Sequence, residues 1–125
     1  MPSEARARRI GDRIREELAE LLQREVADPR LGRLTVTDVD VDRELTQATI
    51  YVTAAEAADR VDEILLVLTG ARGFLRTELA RRIPLRSFPR LQFRWDVSVD
   101  RGARIEDLLK RIQPEDRPEE GNRGD

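Results

Sequence analysis

The sequence LTGARGFLRTELARR, residues Leu68–Arg82, decides the fold. Its apolar residues Leu75 and Leu79 recur at the spacing of a helix, but two glycines, Gly70 and Gly73, stand near its start. Glycine inside a helix costs about 0.5–1 kcal/mol relative to alanine. We therefore expect a break at the glycine pair, with one helix before it and another after it.

The residues before this stretch predict one helix and two strands. A single apolar stripe runs through residues 4–27 and indicates a long amphipathic helix. Residues 34–41 and 48–54 alternate between apolar and polar side chains, as the two strands of a hairpin do. The apolar positions of the first strand change parity near Thr37 or Asp38, which predicts a β-bulge there.

The segments around the glycine pair predict further helices and a third strand. Asp59 is a candidate N-cap for the helix that precedes the glycines. Residues 91–97 form the clearest strand, and residues 101–112 have the spacing of a short terminal helix. The third strand should direct four apolar side chains inward: Leu91, Phe93, Trp95 and Val97.

This order of elements predicts a single domain. Three strands and several helices indicate an α+β fold in which a three-stranded sheet packs on helices. A chain of 125 residues is long enough for one core, and we expect the domain to span residues 1–112. Residues 113–125 are acidic and almost without apolar side chains, so we expect a disordered tail.

The composition excludes several classes of chemistry. The chain has no cysteine and no histidine, so it carries no disulfide, no thiolate nucleophile and no Ser-His-Asp triad. Asp38, Asp40 and Asp42 form a D-x-D-x-D pattern, but a calcium loop needs glycine and glutamate where Arg43 and Thr49 stand. We therefore expect no metal site, no cofactor and no enzymatic activity.

The apolar content gives no sign of a membrane segment. The N-terminal residues MPSEARARR are polar, unlike those of a signal peptide. The longest apolar run, residues 64–68, is far too short to span a bilayer. We expect a cytoplasmic protein without membrane contact.

Charge is unevenly distributed along the chain. The formal net charge is −2, yet residues 70–112 hold eleven basic and five acidic side chains. All but one of the 23 basic residues are arginine. This excess fits a composition bias of the genome, and it also suits phosphate binding through two parallel hydrogen bonds. Candidate phosphate contacts in this basic stretch are Arg72, Arg76, Arg81, Arg82 and Arg86. Two further candidates lie four residues apart on the polar side of the first helix: Arg9 and Arg13.

The glycine pair and the arginines have two interpretations. In the first, the free N–H groups at the start of the second helix attract a phosphate, and the missing side chains of Gly70 and Gly73 let its backbone approach. In the second, the glycines permit close packing between helices and the arginines form a solvated face. The residues alone leave both interpretations open.

The order strand, helix, glycine-rich link, helix, strand resembles the minimal KH unit, in which a GXXG loop binds a nucleic-acid backbone. The letters GARG, residues 70–73, occupy the position of that loop. The helix and strand ahead of the unit resemble the bacterial, type II arrangement. This resemblance implies a KH-like domain with a three-stranded mixed sheet.

Longer pieces of the sequence resemble one family, ribosome-binding factor A. The similarity covers about residues 6–112, and its most specific pieces are DPRLG, GFLRTEL, PRLQF and RGARI. The resemblance implies that an Ala-x-Gly kink, here Ala71-Arg72-Gly73, replaces the GXXG loop between the two helices.

The same resemblance implies a function and its partners. Members of this family are bacterial assembly factors that bind the free small ribosomal subunit and assist late maturation and 5′-end processing of its ribosomal RNA. They act without catalysis, are linked to cold adaptation, and leave the finished subunit. Other assembly factors are further candidate partners, and we expect a monomer. The alternative is a protein-interaction module that docks an acidic partner on its basic face.

Overall fold

Helices and strands follow one another in the predicted order. The computed structural model describes residues 3–24, 28–31, 33–55 and 57–98. Within these ranges lie three α-helices and three strands: α1 (Glu4–Arg24), β1 (Leu34–Val41), β2 (Gln47–Ala54), α2 (Val61–Gly70), α3 (Arg72–Arg82) and β3 (Arg90–Trp95). The α+β prediction is thereby confirmed. The predicted terminal helix, residues 101–112, and the predicted tail, residues 113–125, lie outside the described residues.

The three strands form one mixed sheet in the order β1-β2-β3. β1 and β2 pair antiparallel as the expected hairpin, whereas β3 pairs parallel to β2. The register of the hairpin shifts between Val36 and Asp38, which confirms the predicted bulge. Because of the bulge, Val36 and Val39 both point into the core although they are three residues apart.

The helices cover one face of the sheet. α1 packs on β1, α2 packs on β3, and α3 packs on both α1 and β3. The centre of the core consists of fully buried side chains from the three helices and from β2: Ile14, Leu18, Leu21, Ile50, Val52, Ile64, Leu68, Leu75 and Leu79. On the other face of β2, side chains such as Thr49 and Tyr51 are only half-buried.

The end of β3 differs from the prediction. Phe93 is buried and Trp95 is partly buried against the core, but Val97 is 45% exposed. The carboxylate of Asp96 accepts hydrogen bonds from the Ser98 N–H (2.9 Å) and from the Ser98 hydroxyl (2.6 Å). This local turn ends the strand at Trp95, so the prediction of Val97 as an inward side chain is wrong.

The start of α2 also differs from the prediction. Asp59 lies in a one-turn 3₁₀ helix, Ala58–Arg60, that runs directly into α2. Arg60 occupies the N-cap position of α2, and its side chain makes no capping hydrogen bond. The prediction of Asp59 as the cap is therefore wrong, because the extra turn removes its carboxylate from the position that could accept the first N–H groups.

Gly11 brings α1 onto the backbone of β1. A Cβ atom at this buried position would lie 2.8 Å from the carbonyl oxygen of Val39, which is shorter than Cβ contacts in real structures. A Cβ atom at Gly70 or Gly73 would meet no described atom within 4 Å. In the described part of the chain, close helix packing therefore explains Gly11 and does not explain the glycine pair.

Candidate nucleic-acid interface

The joint between α2 and α3 consists of one residue, Ala71, with φ −90° and ψ 1°. Its N–H donates to the carbonyl oxygens of Val67 and Leu68 at 3.1 Å each, and its own carbonyl accepts from the Leu75 N–H at 2.9 Å. Helical hydrogen bonds thus continue through the joint, and Gly73 lies one residue inside α3. This geometry confirms a helix–kink–helix in place of an open loop.

Three arginines line a cleft of about 470 Å³ between the start of α3 and β3. They are Arg72 and Arg76 on α3 and Arg90 at the start of β3. The other lining residues are Gln47, Gly73, Leu91 and Gln92, and no described acidic residue is among them. We call this the first cleft. Its lining gives it a positive potential with no opposing charge.

A second cleft, of about 520 Å³, adjoins the first and shares Arg76 and Arg90 with it. Arg6 from the first turn of α1 and Arg86 from the segment before β3 also line it, and Glu44 is the one acidic residue in its described lining. We call the five arginines of the two clefts the arginine cluster. The cluster therefore draws side chains from both ends of the described chain to one surface.

Arg76 has a structural task within this cluster. Its guanidinium donates to the carbonyl oxygen of Pro89 (Nε, 3.1 Å) and to that of Phe88 (Nη2, 2.6 Å). These two bonds attach the segment before β3 to α3. They therefore hold Arg86 and Arg90 beside the helix joint.

Arg82 lines neither cleft and joins α3 to α1. Its Nη1 lies 3.1 Å from a Glu17 carboxylate oxygen and 2.8 Å from a Glu20 oxygen. The hydrogen bond from Arg82 lowers the pKa of the Glu17 carboxyl and raises the pKa of Arg82 itself. Arg82 is thus the centre of an ion-pair network between two helices.

The other three predicted phosphate contacts, Arg13, Arg81 and Arg9, line neither cleft. Arg13 belongs to the same network, since it donates to Glu17 at 3.3 Å and to the carbonyl oxygen of Arg82 at 3.2 Å. Arg81 pairs with Glu78 at 3.8 Å along α3. Arg9 is exposed on α1 and lines neither cleft. None of the ion pairs within the described residues involves Arg72, Arg86 or Arg90.

Several residues of the clefts were not predicted as contacts, among them Arg6, Gln47, Arg90 and Gln92. Arg90 belongs to the basic stretch, but Arg6 lies far from it in the sequence. Gln47 and Gln92 become neighbours because β2 and β3 pair in parallel, which brings Gln47 opposite Arg90 and Thr49 opposite Gln92. Local periodicity identifies strands but carries no signal for this pairing.

A further groove, of about 640 Å³, lies between α1 and β1. Its lining is mixed and mainly acidic: Glu4, Arg8, Asp12, Asp38, Asp40 and Arg43 are its charged residues. Asp42 lies outside it and closes the hairpin turn, where its carboxylate accepts from the N–H groups of Thr46 (2.6 Å) and Gln47 (3.1 Å). The D-x-D-x-D pattern is therefore divided between a groove and a turn.

Within residues 3–24, 28–31, 33–55 and 57–98, no group of three or more acidic side chains is arranged to hold a metal ion. No helix there is both long enough and apolar enough to cross a bilayer.

The molecule is thus an α+β protein that gathers arginines beside a helix–kink–helix joint. Its sequence matches the family model described as Ribosome-binding factor A over residues 6–109. The chain belongs to the ribosome-binding factor A family.

Individual relatives are similar over most of the chain. Ribosome-binding factor A of Stutzerimonas stutzeri is 43% identical over 97% of this chain and 96% of its own length. The crystal structure of ribosome-binding factor A from Thermus thermophilus matches with a TM-score of 0.63 at 32% identity, covering 74% of this chain and 94% of that one. A homology model of the T. thermophilus protein, fitted into a cryo-EM map of a 30S–RbfA complex, matches with a TM-score of 0.56 at 34% identity, covering 70% and 92%.

Proposed function

We propose that this chain is a non-enzymatic bacterial ribosome assembly factor. It binds the free small ribosomal subunit and assists late maturation and 5′-end processing of the small-subunit ribosomal RNA. Membership in the family supports this proposal, and so does the T. thermophilus relative that was fitted into a map of a 30S complex. The observation that carries the proposal is the arginine cluster, since a surface of five arginines and one acid suits a polyanion.

The domain that carries this function is KH-like and of type II. The element order and the mixed sheet support this assignment. The kink at Ala71, followed by Gly73, stands where a KH domain has its GXXG loop. We further propose that the protein acts in the cytoplasm as a monomer, alongside other assembly factors and with a role in cold adaptation.

Arg72, Arg86 and Arg90 are the principal phosphate contacts in this proposal. Their side chains are exposed and line the two clefts without an ion pair among the described residues. A guanidinium that is not already paired can donate two parallel hydrogen bonds to a phosphate. Arg76 adds positive charge to both clefts while it holds the segment before β3.

The other predicted contacts play a lesser part. Arg82, Arg13 and Arg81 already pair with carboxylates, so a phosphate would have to displace an existing partner. Arg9, exposed on α1, remains a candidate at the margin of the interface. We therefore place the centre of the interface at the arginine cluster rather than at the end of α3.

A protein can assist the maturation of an RNA without making or breaking a covalent bond. A protein that binds one conformation of an RNA more tightly than another shifts the population toward the bound conformation. A tenfold shift requires a difference in binding free energy of about 1.4 kcal/mol. A few phosphate contacts made in only one RNA conformation are sufficient for such a difference.

Salt dependence of RNA binding tests the proposal. With about five phosphates contacted, the logarithm of the affinity should fall with log salt at a slope of roughly −3 to −4. The single variants Arg72→Gln, Arg86→Gln and Arg90→Gln should each reduce the slope by about 0.7. Arg24→Gln is the matched control, because Arg24 is exposed on α1 and lines neither cleft. A wild-type slope near zero contradicts the proposal.

Sedimentation of a lysate tests the ribosomal partner. The tagged protein should travel with free small subunits and not with complete ribosomes. Retention at the top of the gradient at low salt contradicts the ribosomal assignment. Binding to stripped small-subunit RNA, compared with capture from a protein-only lysate, separates the RNA proposal from the alternative of an acidic protein partner.

A further inference from the structure

Two glutamine side chains form a fixed pair in the first cleft. The Nε2 of Gln47 on β2 donates to the Oε1 of Gln92 on β3 at 2.7 Å. Both side chains project from the sheet face opposite the core, and both line the cleft beside Arg72 and Arg90. Gln92 is half-buried and Gln47 is exposed.

The pair leaves polar groups for a further partner. Each amide has an oxygen that accepts and a nitrogen that donates two hydrogen bonds. The mutual bond occupies one Gln47 donor and one acceptor site on Gln92, so the Gln47 oxygen and the Gln92 nitrogen remain available. The pair therefore offers one further acceptor and further donors, and the bond between the two side chains reduces the rotamer freedom that binding must restrict.

We propose that the first cleft holds one unpaired nucleotide of single-stranded RNA, with its base edge on the Gln47–Gln92 pair and its phosphates on Arg72 and Arg90. This inference rests on the proposed function and adds to it a contact that reads the base. A cleft of about 470 Å³ is within the size range of small-ligand sites. Paired glutamine donors and acceptors match base edges that present a donor beside an acceptor.

The same geometry favours an unpaired base over a duplex. In A-form RNA the major groove is too deep and narrow for side chains to read, and the Watson–Crick edges are already paired. The Watson–Crick edge of an unpaired, unstacked base is free to form hydrogen bonds in the first cleft. The arginines beside the pair would bind phosphates of any sequence, so discrimination between bases falls to the glutamines.

Equilibrium binding to RNA homopolymers tests the inference. The probes are oligo(A), oligo(C) and oligo(U) of about 12 nucleotides, with an RNA duplex of the same length as competitor. We expect one homopolymer to bind at least about fivefold more tightly than the weakest, the lower end of a bidentate base contact. The duplex should compete less well than that homopolymer.

Two variants connect this preference to the glutamine pair. Gln92→Ala and Gln47→Ala should each remove most of the preference while the salt slope stays that of the wild type. Gln23→Ala, at an exposed position on α1, is the matched control and should retain the preference. Circular dichroism of each variant verifies that the sheet is intact.

The outcomes distinguish this inference from the function on which it rests. Equal binding of all three homopolymers with an arginine-dependent salt slope overturns the base contact and leaves the assembly-factor proposal standing. A preference that survives both glutamine variants, or a duplex that competes as well as the single strands, also overturns the base contact. Failure of every RNA to bind overturns both.

Discussion

Gly11 on α1 lies so close to Val39 on β1 that a Cβ atom would stand 2.8 Å from the carbonyl oxygen of Val39. The helix therefore rests on the strand backbone itself, without an intervening side chain. This contact also positions Arg6, which lies five residues earlier on the same helix and lines the second cleft. The packing of α1 on β1 thus determines part of the candidate interface.

Gly11→Ala should destabilise the protein by about 1–3 kcal/mol, because the added methyl group forces α1 away from the sheet. The loss should appear as a lower midpoint of urea unfolding with an unchanged slope. An unfolding midpoint equal to that of the wild type would show that α1 can move without cost, contrary to the close contact.

Gly73→Ala and Gly70→Ala form a matched pair of variants that should affect RNA binding differently. Both side chains would enter open space at helical positions, so each variant should be more stable than the wild type by about 0.4–1 kcal/mol. Gly73 lines the first cleft and Gly70 does not. Gly73→Ala should therefore weaken RNA binding, whereas Gly70→Ala should leave it unchanged. Equal effects of the two variants on affinity would contradict the first cleft as the site.

Arg82→Gln separates a structural arginine from a phosphate contact. The variant leaves Glu17 and Glu20 without their shared partner, so the thermal midpoint should decrease by a small amount. The slope of RNA affinity against salt should remain that of the wild type. A slope reduced to the same extent as in Arg72→Gln would place Arg82 among the phosphate contacts.

Stability should depend on the ionisation of Asp28 in acid. Hydrogen bonds from the Arg30 guanidinium and N–H lower the pKa of the Asp28 carboxyl to about 2. An unfolded aspartate has a pKa of about 3.9, so the unfolded chain binds the proton more readily. The stabilising contribution is present above about pH 4 and disappears as the pH falls toward about 2.

Urea midpoints of the wild type and of Asp28→Asn, measured across this range, test the prediction. The difference between them should shrink as the pH falls. A difference that stays constant down to about pH 2 would contradict the assigned pKa.

Much of the fold could be predicted because its signals are local. The bulge in β1 appeared as a change of apolar parity within one strand, and the register shift lies at that point. The break between α2 and α3 appeared as two glycines inside a helical pattern. The predictions for Asp59 and Val97 were wrong because a short turn stands at the end of the helix or strand there. A single turn is too short to show a repeating pattern of apolar residues.

The candidate interface could be predicted only in part. Sequence spacing placed Arg72 and Arg82 in one basic stretch as equivalent contacts. The structure separates them, because one lines a cleft and the other pairs with two acids on α1. No property of the basic stretch itself distinguishes these two arginines.

The sequence by itself determined the order of the elements, the bulge, the helix break and the family, because each of them corresponds to a pattern among residues close together in the chain. Only the tertiary structure decided which arginines remain available and which residues join them. Arg82 meets Glu17 across 65 residues, and Gln47 meets Gln92 across 45. Such contacts depend on how α1 packs against α3 and on the parallel pairing of β2 and β3. Neither arrangement leaves a periodic pattern in neighbouring residues from which it could be predicted.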